Sequence, residues 1–193
     1  MSKRPYTLKR RAEQQAETRQ RIVEATVALH STLGPSRSPL SLIAERAGVQ
    51  RHTLYAHFPD ERSLFLACSG HAFDRDPPPD AEPWRAIADR GERLAAGLAE
   101  IHSWYARNAE MLVNVLRDAE HMPIVREVSA LHMGPRIAGW HTVLGEGLAP
   151  AQQAMLALML TFPSWRTLTQ EAGLAPEAAV ALAVQAILGA TAT

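Results

Sequence analysis

The chain has 193 residues, of which 47% are hydrophobic and 21% charged, an ordinary composition for a globular protein. Its longest apolar runs are too short to span a bilayer. Its formal net charge is zero, but residues 1–65 carry 11 basic and 6 acidic residues whereas residues 66–193 carry 9 and 14, a distribution typical of a nucleic-acid-binding head on an acidic body. The one cysteine, Cys68, excludes an intrachain disulfide, favours a reducing compartment such as the cytoplasm, and is expected to be a buried structural thiol.

Basic residues without apolar periodicity open the chain. Residues 1–12 show no signal peptide and are predicted to form a flexible arm that is helical at most from Lys9 onward. Such an arm either contacts phosphates or a minor groove, or is a solvated tail. The basic side chains concerned are Lys3, Arg4, Lys9, Arg10 and Arg11.

Two helices are predicted after the arm. Apolar residues recur at helical spacing between Ile22 and Leu29, and they predict a first helix over residues 13–33. A second helix is predicted to run from Ser38 to Ala47. Ser38 is expected to be its N-cap, because a serine hydroxyl can accept a hydrogen bond from the first free backbone N–H groups of a helix.

A sharp turn at Gly48 leads into a third helix over residues 50–57, since glycine readily adopts a positive φ and Pro59 disfavours helical geometry in the residue before it. Leu54 and Phe58 are four residues apart and therefore share the face that packs inward. The other side chains are polar or charged. A helix, a glycine turn and a polar-faced helix form the arrangement that offers side chains to a DNA major groove.

The rest of the chain is predicted to be helical as well. Asp60 is expected to cap a helix that leads out of the head through Phe73, and the proline-rich residues 76–80 form a rigid linker. The last two predicted helices are apolar around most of their circumference, so a second copy of the chain is expected to cover them. The helices predicted after the linker cover residues 83–106, 108–119, 122–147, 150–172 and 176–190.

The run from Leu42 to Phe65 resembles the tetracycline-repressor (TetR-type) family of bacterial transcription regulators. The matching residues are Ile43-Ala44, Ala47-Gly48-Val49, Thr53-Leu54-Tyr55, His57-Phe58-Pro59 and Leu64-Phe65. The resemblance implies an all-α fold of about nine helices, in which a three-helix helix-turn-helix head is joined by a long helix to a C-terminal domain. We accordingly expect a basic arm at residues 1–12, a DNA-binding domain at residues 13–60, and an effector-binding and dimerisation domain at residues 61–193.

The resemblance also implies a homodimer that binds a palindromic operator on double-stranded DNA and releases it when a small effector, here expected to be apolar, is bound. The alternative is a helical interaction protein whose DNA binding has degenerated. Glu61 motivates this alternative, because the family commonly has a phosphate-binding lysine here, and an acid would repel phosphate unless Arg62 substitutes. Without a catalytic constellation or metal-ligand spacing, we expect no enzyme activity, cofactor or metal.

Ten side chains are candidates for DNA contact. Arg51 is the strongest candidate for reading a base, because arginine can bond guanine bidentately in the major groove, although a solvated or phosphate-bound arginine is the alternative. The resemblance implies phosphate contacts from Tyr55 and His57. The full set is Gln50, Arg51, His52, Thr53, Tyr55, His57, Ser38, Arg62, Lys9 and Arg10.

Large aromatic residues in the C-terminal part, together with methionine, are able to line an adaptable apolar pocket. Core packing is nevertheless the commoner role of such residues. His141 and His102 could orient a ligand, or could be core histidines with satisfied hydrogen bonds. The pocket candidates are Trp104, Met111, Trp140, His141, Phe162 and Trp165.

Overall fold

The computed structural model describes the backbone of residues 4–191 and the side chains of residues 9–191. Over this range the chain forms ten α-helices and no β-strand, which confirms the predicted all-α fold. The chain divides into two units, the first formed by Met1–Arg75 with Val113–Ala130 and the second by Asp76–Leu112 with Leu131–Thr193. None of the described helices combines the length and the apolar character that a bilayer-crossing segment needs.

The first unit contains the predicted helix-turn-helix. Its core is built from residues of every helix in the unit, and Ile22, Ile43, Leu54 and Leu64 are each at most 1% exposed. The helices are α1 (Arg4–Thr32), α2 (Leu40–Arg46), α3 (Arg51–His57) and α4 (Glu61–Arg75), with a 3-10 turn at Pro35–Arg37 between α1 and α2.

Helix α1 begins well before the predicted position. It starts at Arg4, so the described part of the expected flexible arm is helical. The reason is local, because residues 8–12 are mostly good helix formers and Pro5 is tolerated in the first turn. Lys3 lies outside the described residues, as does the side chain of Arg4.

The predicted N-cap role of Ser38 is wrong. Helix α2 begins at Leu40 with Pro39 as its N-cap residue. The 3-10 turn brings the Ser38 hydroxyl 2.8 Å from the backbone oxygen of Gly34, to which it donates, and Ser38 is only 4% exposed. The predicted turn at Gly48 is confirmed, since its φ is 66°. The predicted cap at Asp60 is confirmed as well, since Asp60 Oδ1 accepts from Ser63 N at 2.7 Å.

The second unit contains α5 (Arg90–Arg107), α8 (Pro150–Met159), α9 (Phe162–Arg166) and α10 (Pro176–Gly189). Helices α6 (Ala109–Ala119) and α7 (Pro123–Leu144) each contribute residues to both units. Helix α5 starts at Arg90 rather than near residue 83. The Asp89 side chain caps it by accepting from Glu92 N at 2.8 Å, and residues 82–86 form a 3-10 turn instead.

The single helix predicted over residues 150–172 is broken in the structure. Helix α8 ends at Met159, and Thr161 caps α9 by accepting from Ser164 N at 3.3 Å. Pro163 lies in the first turn of α9, where it needs no donor, but it could not continue a helix from α8. Residues 167–171 then form a π-helical turn in place of an α-helix.

Candidate nucleic-acid interface

Helix α3 has one buried face and one polar face. Leu54 is 1% exposed and anchors the helix in the core, together with Phe58 just after its end, also 1% exposed. The side chains of Gln50, Arg51 and His52 are exposed in succession at the start of the helix. Tyr55, one turn further, is 43% exposed, while Thr53 and His57 are half-buried.

The turn before α3 fixes how this polar face is presented. Ala44 on α2 is 2% exposed and small, which allows close packing at the turn. Val49 N donates to Ala44 O at 2.9 Å, so the chain reverses directly after α2 and delivers Gln50 to the start of α3. The positive φ of Gly48 makes this reversal possible without the strain that another residue would suffer.

Basic side chains from α1 lie beside the same helix-turn-helix. The guanidinium carbon of Arg19 lies 4.7 Å from the ring centroid of Phe58, a cation–π contact at the end of α3. Arg21 Nη1 lies 4.0 Å from the position that a Cβ on Gly48 would occupy. The predicted contacts Lys9 and Arg10 are exposed near the start of α1. Sequence reasoning did not single out Arg21, because only folding brings α1 to the Gly48 turn.

Two predicted DNA contacts are engaged within the protein. The Ser38 hydroxyl is buried and bonded to Gly34, so its side chain is not presented on the polar surface. Arg62, expected to replace a phosphate-binding lysine, donates through Nε and Nη2 to Glu127 Oε1 at 2.8 Å. Both side chains are about half exposed, and an ion pair of this kind contributes only about 0–1 kcal/mol, so DNA phosphate could compete for Arg62.

Cys68 is buried, as predicted. It is 5% exposed, its Sγ donates to Phe65 O at 3.3 Å, and burial raises the pKa of its thiol to about 12. A protonated, enclosed thiol is chemically inert. His30 Nδ1 lies 3.8 Å from the same sulfur, and burial lowers the pKa of His30 to about 4, although the charge of Asp118 opposes this shift.

Four of the predicted pocket residues meet in the second unit around Tyr105, which sequence reasoning left out of the pocket. The ring centroids of Trp104, Trp140, Phe162 and Trp165 lie between 5.5 and 6.5 Å from that of Tyr105. The Tyr105 hydroxyl donates to Leu160 O at 2.6 Å. The structure thus brings the aromatic residues together as a packed cluster.

Two cavities of the second unit are lined by residues outside this aromatic cluster. One, of about 300 Å³, is lined by His141, Thr142, Gly145, Gln153 and Leu156. The other, of about 440 Å³, is a groove between residues 77–79 and α5. Of the six pocket candidates only His141 lines either of them, and Met111 is half-buried elsewhere on α6.

His102 on α5 is an unusual buried group. It is 3% exposed, and neither ring nitrogen has a hydrogen-bond partner among the described residues. Burial lowers its pKa to about 4, so the ring is neutral at pH 7 and presents one donor and one acceptor. His102 therefore differs from a core histidine whose hydrogen bonds are satisfied by other described protein groups. Buried polar groups without partners are rare, and each calls for an explanation.

The sequence of the helix-turn-helix region is similar to that of known bacterial regulators. The family model described as bacterial regulatory proteins, tetR family, matches residues 22–68. The transcriptional repressor KstR of Mycolicibacterium smegmatis is 39% identical over 64 residues, which are 33% of this chain and 31% of that repressor. An HTH-type transcriptional regulator of Mycobacterium tuberculosis is 28% identical over 137 residues, 69% of this chain and 64% of that protein. The chain thus spans about a third of the length of the first of these curated relatives.

Solved structures show a likeness over nearly the whole chain. A candidate TetR-family regulator from Rhodococcus sp. has a TM-score of 0.62 at 21% identity, covering 90% of this chain and 98% of its own. A TetR-family regulator from Streptomyces coelicolor has a TM-score of 0.57 at 17% identity, covering 89% and 81%. At these identities the likeness shows that the fold is shared.

Proposed function

We propose that this chain, which belongs to the TetR family of bacterial regulatory proteins through its N-terminal unit, is a transcriptional repressor and not an enzyme. In this proposal it binds a palindromic operator as a homodimer and releases the DNA when a small effector binds. The name of the relative from Mycolicibacterium smegmatis, a transcriptional repressor, favours repression over activation.

The observation that carries the proposal is the exposed polar face of α3. A helix fits the major groove, and Arg51 at the first position of α3 can reach a guanine edge. None of the ion pairs among the described side chains involves Arg51, so its guanidinium is free to contact DNA. Tyr55, one turn further, and His57, the last residue of α3, are proposed to contact phosphate and so to set the register of the helix in the groove.

Dimerisation is supported by exposed leucines on the last helices. Leu158 on α8 is 52% exposed, and Leu182 and Leu188 on α10 are 44% and 38% exposed. A two-fold pair formed through α8 and α10 would bury these side chains in a self-complementary interface. Such a dimer presents two copies of α3, which read successive major grooves roughly 34–36 Å apart and therefore favour a palindromic site.

The effector is proposed to bind in the second unit. The aromatic cluster around Tyr105 supplies apolar walls. His102, one turn earlier on α5, supplies a donor and an acceptor that no group in the described part of the chain bonds. A ligand that bonds His102 would satisfy a group whose burial without partners costs about 1–3 kcal/mol. Because the rings are closely packed, entry of a ligand requires them to move apart. Helices α6 and α7 contain residues of both units and could carry such a change along the chain.

The DNA-binding part is tested by selecting duplexes from a random pool with the purified protein and titrating the selected duplex by fluorescence anisotropy. We expect a palindromic consensus bound with a dissociation constant of about 10⁻⁸ M or tighter. Small apolar compounds that raise the melting temperature are then added to the complex. A compound that stabilises the protein and binds tightly, yet leaves operator affinity unchanged, would contradict release by that ligand.

The second candidate function is a helical interaction protein without DNA binding. Glu61 is exposed at the start of α4, and the neighbouring Arg62 is paired with Glu127. In this state the cation expected to bind phosphate at this point is already paired with an acidic side chain. Binding to random duplex at low salt separates the two candidates, because every DNA-binding protein of this kind retains a salt-sensitive, sequence-independent affinity.

A further inference from the structure

Three side chains on the second half of α6 hold the chain where α1 ends. Asn114 Nδ2 donates to Ser31 O at 2.6 Å, and Arg117 Nη2 donates to Leu33 O at 3.1 Å. Asp118 Oδ2 accepts from Ser36 N at 2.8 Å. We call Asn114, Arg117 and Asp118 the α6 clasp. Its two donors satisfy carbonyl groups at the C-terminal end of α1, which have no partner within a helix.

Asp118 is the central member of the α6 clasp. Its side chain is fully buried, and its second oxygen, Oδ1, accepts from Arg117 Nε at 2.8 Å. Burial raises the pKa of this carboxyl group, but the hydrogen bonds from Arg117 and Ser36 outweigh burial and hold the pKa below its usual value. Both oxygens of a buried, charged carboxylate are therefore bonded, one of them to a backbone N–H that sequence places 82 residues away.

The backbone of the turn is shaped to receive this carboxylate. Gly34 has a φ of 92°, and a Cβ at this position would lie 2.6 Å from Asp118 Oδ2. Only glycine allows both the backbone conformation and the close approach. The glycine at this position therefore makes room for the carboxylate of Asp118.

The turn held by the α6 clasp sets the position of α2. Ser38 N donates to Pro35 O at 3.1 Å, and the Ser38 hydroxyl donates to Gly34 O. Residues 34–38 are thus one bonded unit that ends directly before α2. Helix α2 in turn leads through the Gly48 turn into α3, so a shift of residues 34–38 is passed to the polar face of α3.

We propose that Asp118 is a positioning residue for DNA binding, which fixes the start of α2 through Ser36 N–H and thereby the presentation of α3. The inference rests on the proposed DNA-binding function. Helix α6 begins among residues of the second unit, so a rotation of α6 about its own axis would withdraw the carboxylate from Ser36. The α6 clasp is therefore a point at which a change along α6 acts on the reading helix.

The test compares Asp118→Ala with Glu120→Ala in the full chain. Glu120 is exposed just beyond the end of α6, so its substitution removes the same charge from the same region and serves as the matched control. We expect Asp118→Ala to lose at least tenfold in affinity for the duplex selected by the wild type. Its affinity for random duplex should stay within twofold of wild type, and its helicity should stay within one-tenth of wild type. Asp118→Asn keeps an oxygen for Ser36 N–H and is expected to stay within about fivefold of wild type.

Two results would overturn the inference. One is equal affinity of Asp118→Ala and Glu120→Ala for the selected duplex, and the other is an Asp118→Asn variant as weak as Asp118→Ala. If Asp118→Ala does not fold, Arg117→Ala replaces it, because that side chain is 41% exposed and its loss removes the hydrogen bonds that the α6 clasp makes to Asp118 Oδ1 and to Leu33 O. It should bind the selected duplex at least threefold more weakly than the charge-matched Arg75→Ala, and equal binding overturns the inference. A wild-type protein that selects no duplex refutes the proposed function instead.

Discussion

Arg51 combines exposure with a rigid position at the start of α3, where Leu54 one turn later anchors the helix in the core. We predict that Arg51→Ala weakens binding to the selected operator by about 1–3 kcal/mol and relaxes the preference at one base pair of each half-site. Arg75→Ala, which removes an equal charge from the exposed end of α4, is the control. Anisotropy titrations with base-substituted operators measure both effects, and equal losses in the two variants would rule out base contact by Arg51.

Two buried histidines make the stability of the fold depend on pH. Burial lowers the pKa of His30 and of His102 from 6.5 to about 4. Between these values the unfolded chain binds more protons than the folded chain, so the free energy of unfolding falls as the pH drops from 6.5 towards 4 and is insensitive to these groups above 6.5. Each histidine contributes a loss of up to about 3 kcal/mol.

Urea midpoints at pH 7.5, 6 and 5 measure this fall. His102→Leu removes one of the two titrating groups and the unpaired polar ring, so its midpoint should change less with pH than that of the wild type. His121→Leu, at an exposed position, is the matched control. A His102→Leu curve that parallels the wild type would show that His102 is not held neutral by burial.

Among the helices, α9 begins with a side-chain cap that can be tested separately from the proline that follows it. Thr161 Oγ1 accepts from Ser164 N, and we predict that Thr161→Ala lowers the free energy of unfolding by about 1 kcal/mol and the melting temperature by about 2–4 °C. Thr142→Ala is the control, since the hydroxyl of Thr142 only donates back to Ala138 O within α7. Calorimetry that gives both variants the same melting temperature would contradict the capping role.

The elements around α3 could be predicted because their signals are local. Gly48 permits the turn through its positive φ, Pro59 ends α3 by restricting the residue before it, and the side chain of Asp60 caps α4. The break after α8 was missed because apolar periodicity continues through Thr161 and Pro163, and it outweighed the cap and the proline. The helical start of α1 was missed for the opposite reason, since its basic residues show no periodicity although their propensity for helix is high.

The candidate site was predictable only in part, because several of its groups are set by distant contacts. The polar face of α3 follows from the spacing of Leu54 and Phe58. The pairing of Arg62 with Glu127 joins residues 65 positions apart, so no local sequence pattern predicts it. The bond between Asp118 and Ser36 is of the same kind, and so is the clustering of aromatic rings around Tyr105.

For the whole molecule, we predict dimerisation through the last helices, and two equally exposed leucines allow a matched comparison of variants. Leu158 on α8 and Leu131 on α7 are both 52% exposed, so a glutamate costs the monomer little at either position. We predict that Leu158→Glu converts the dimer to a monomer and that Leu131→Glu leaves it intact, because a charge is costly only where a partner would bury it. Light scattering after size exclusion measures both masses, and a dimeric Leu158→Glu would exclude the proposed interface.

The proposed function requires the basic first unit to bind DNA. The most direct test is the affinity of the wild-type protein for a random 30-base-pair duplex, measured by anisotropy from about 50 to 300 mM salt. We expect binding at the low end and a linear fall of log K with log salt, with a slope of about −0.9 for each phosphate neutralised. Absence of binding at 50 mM salt, or an affinity independent of salt, would contradict it.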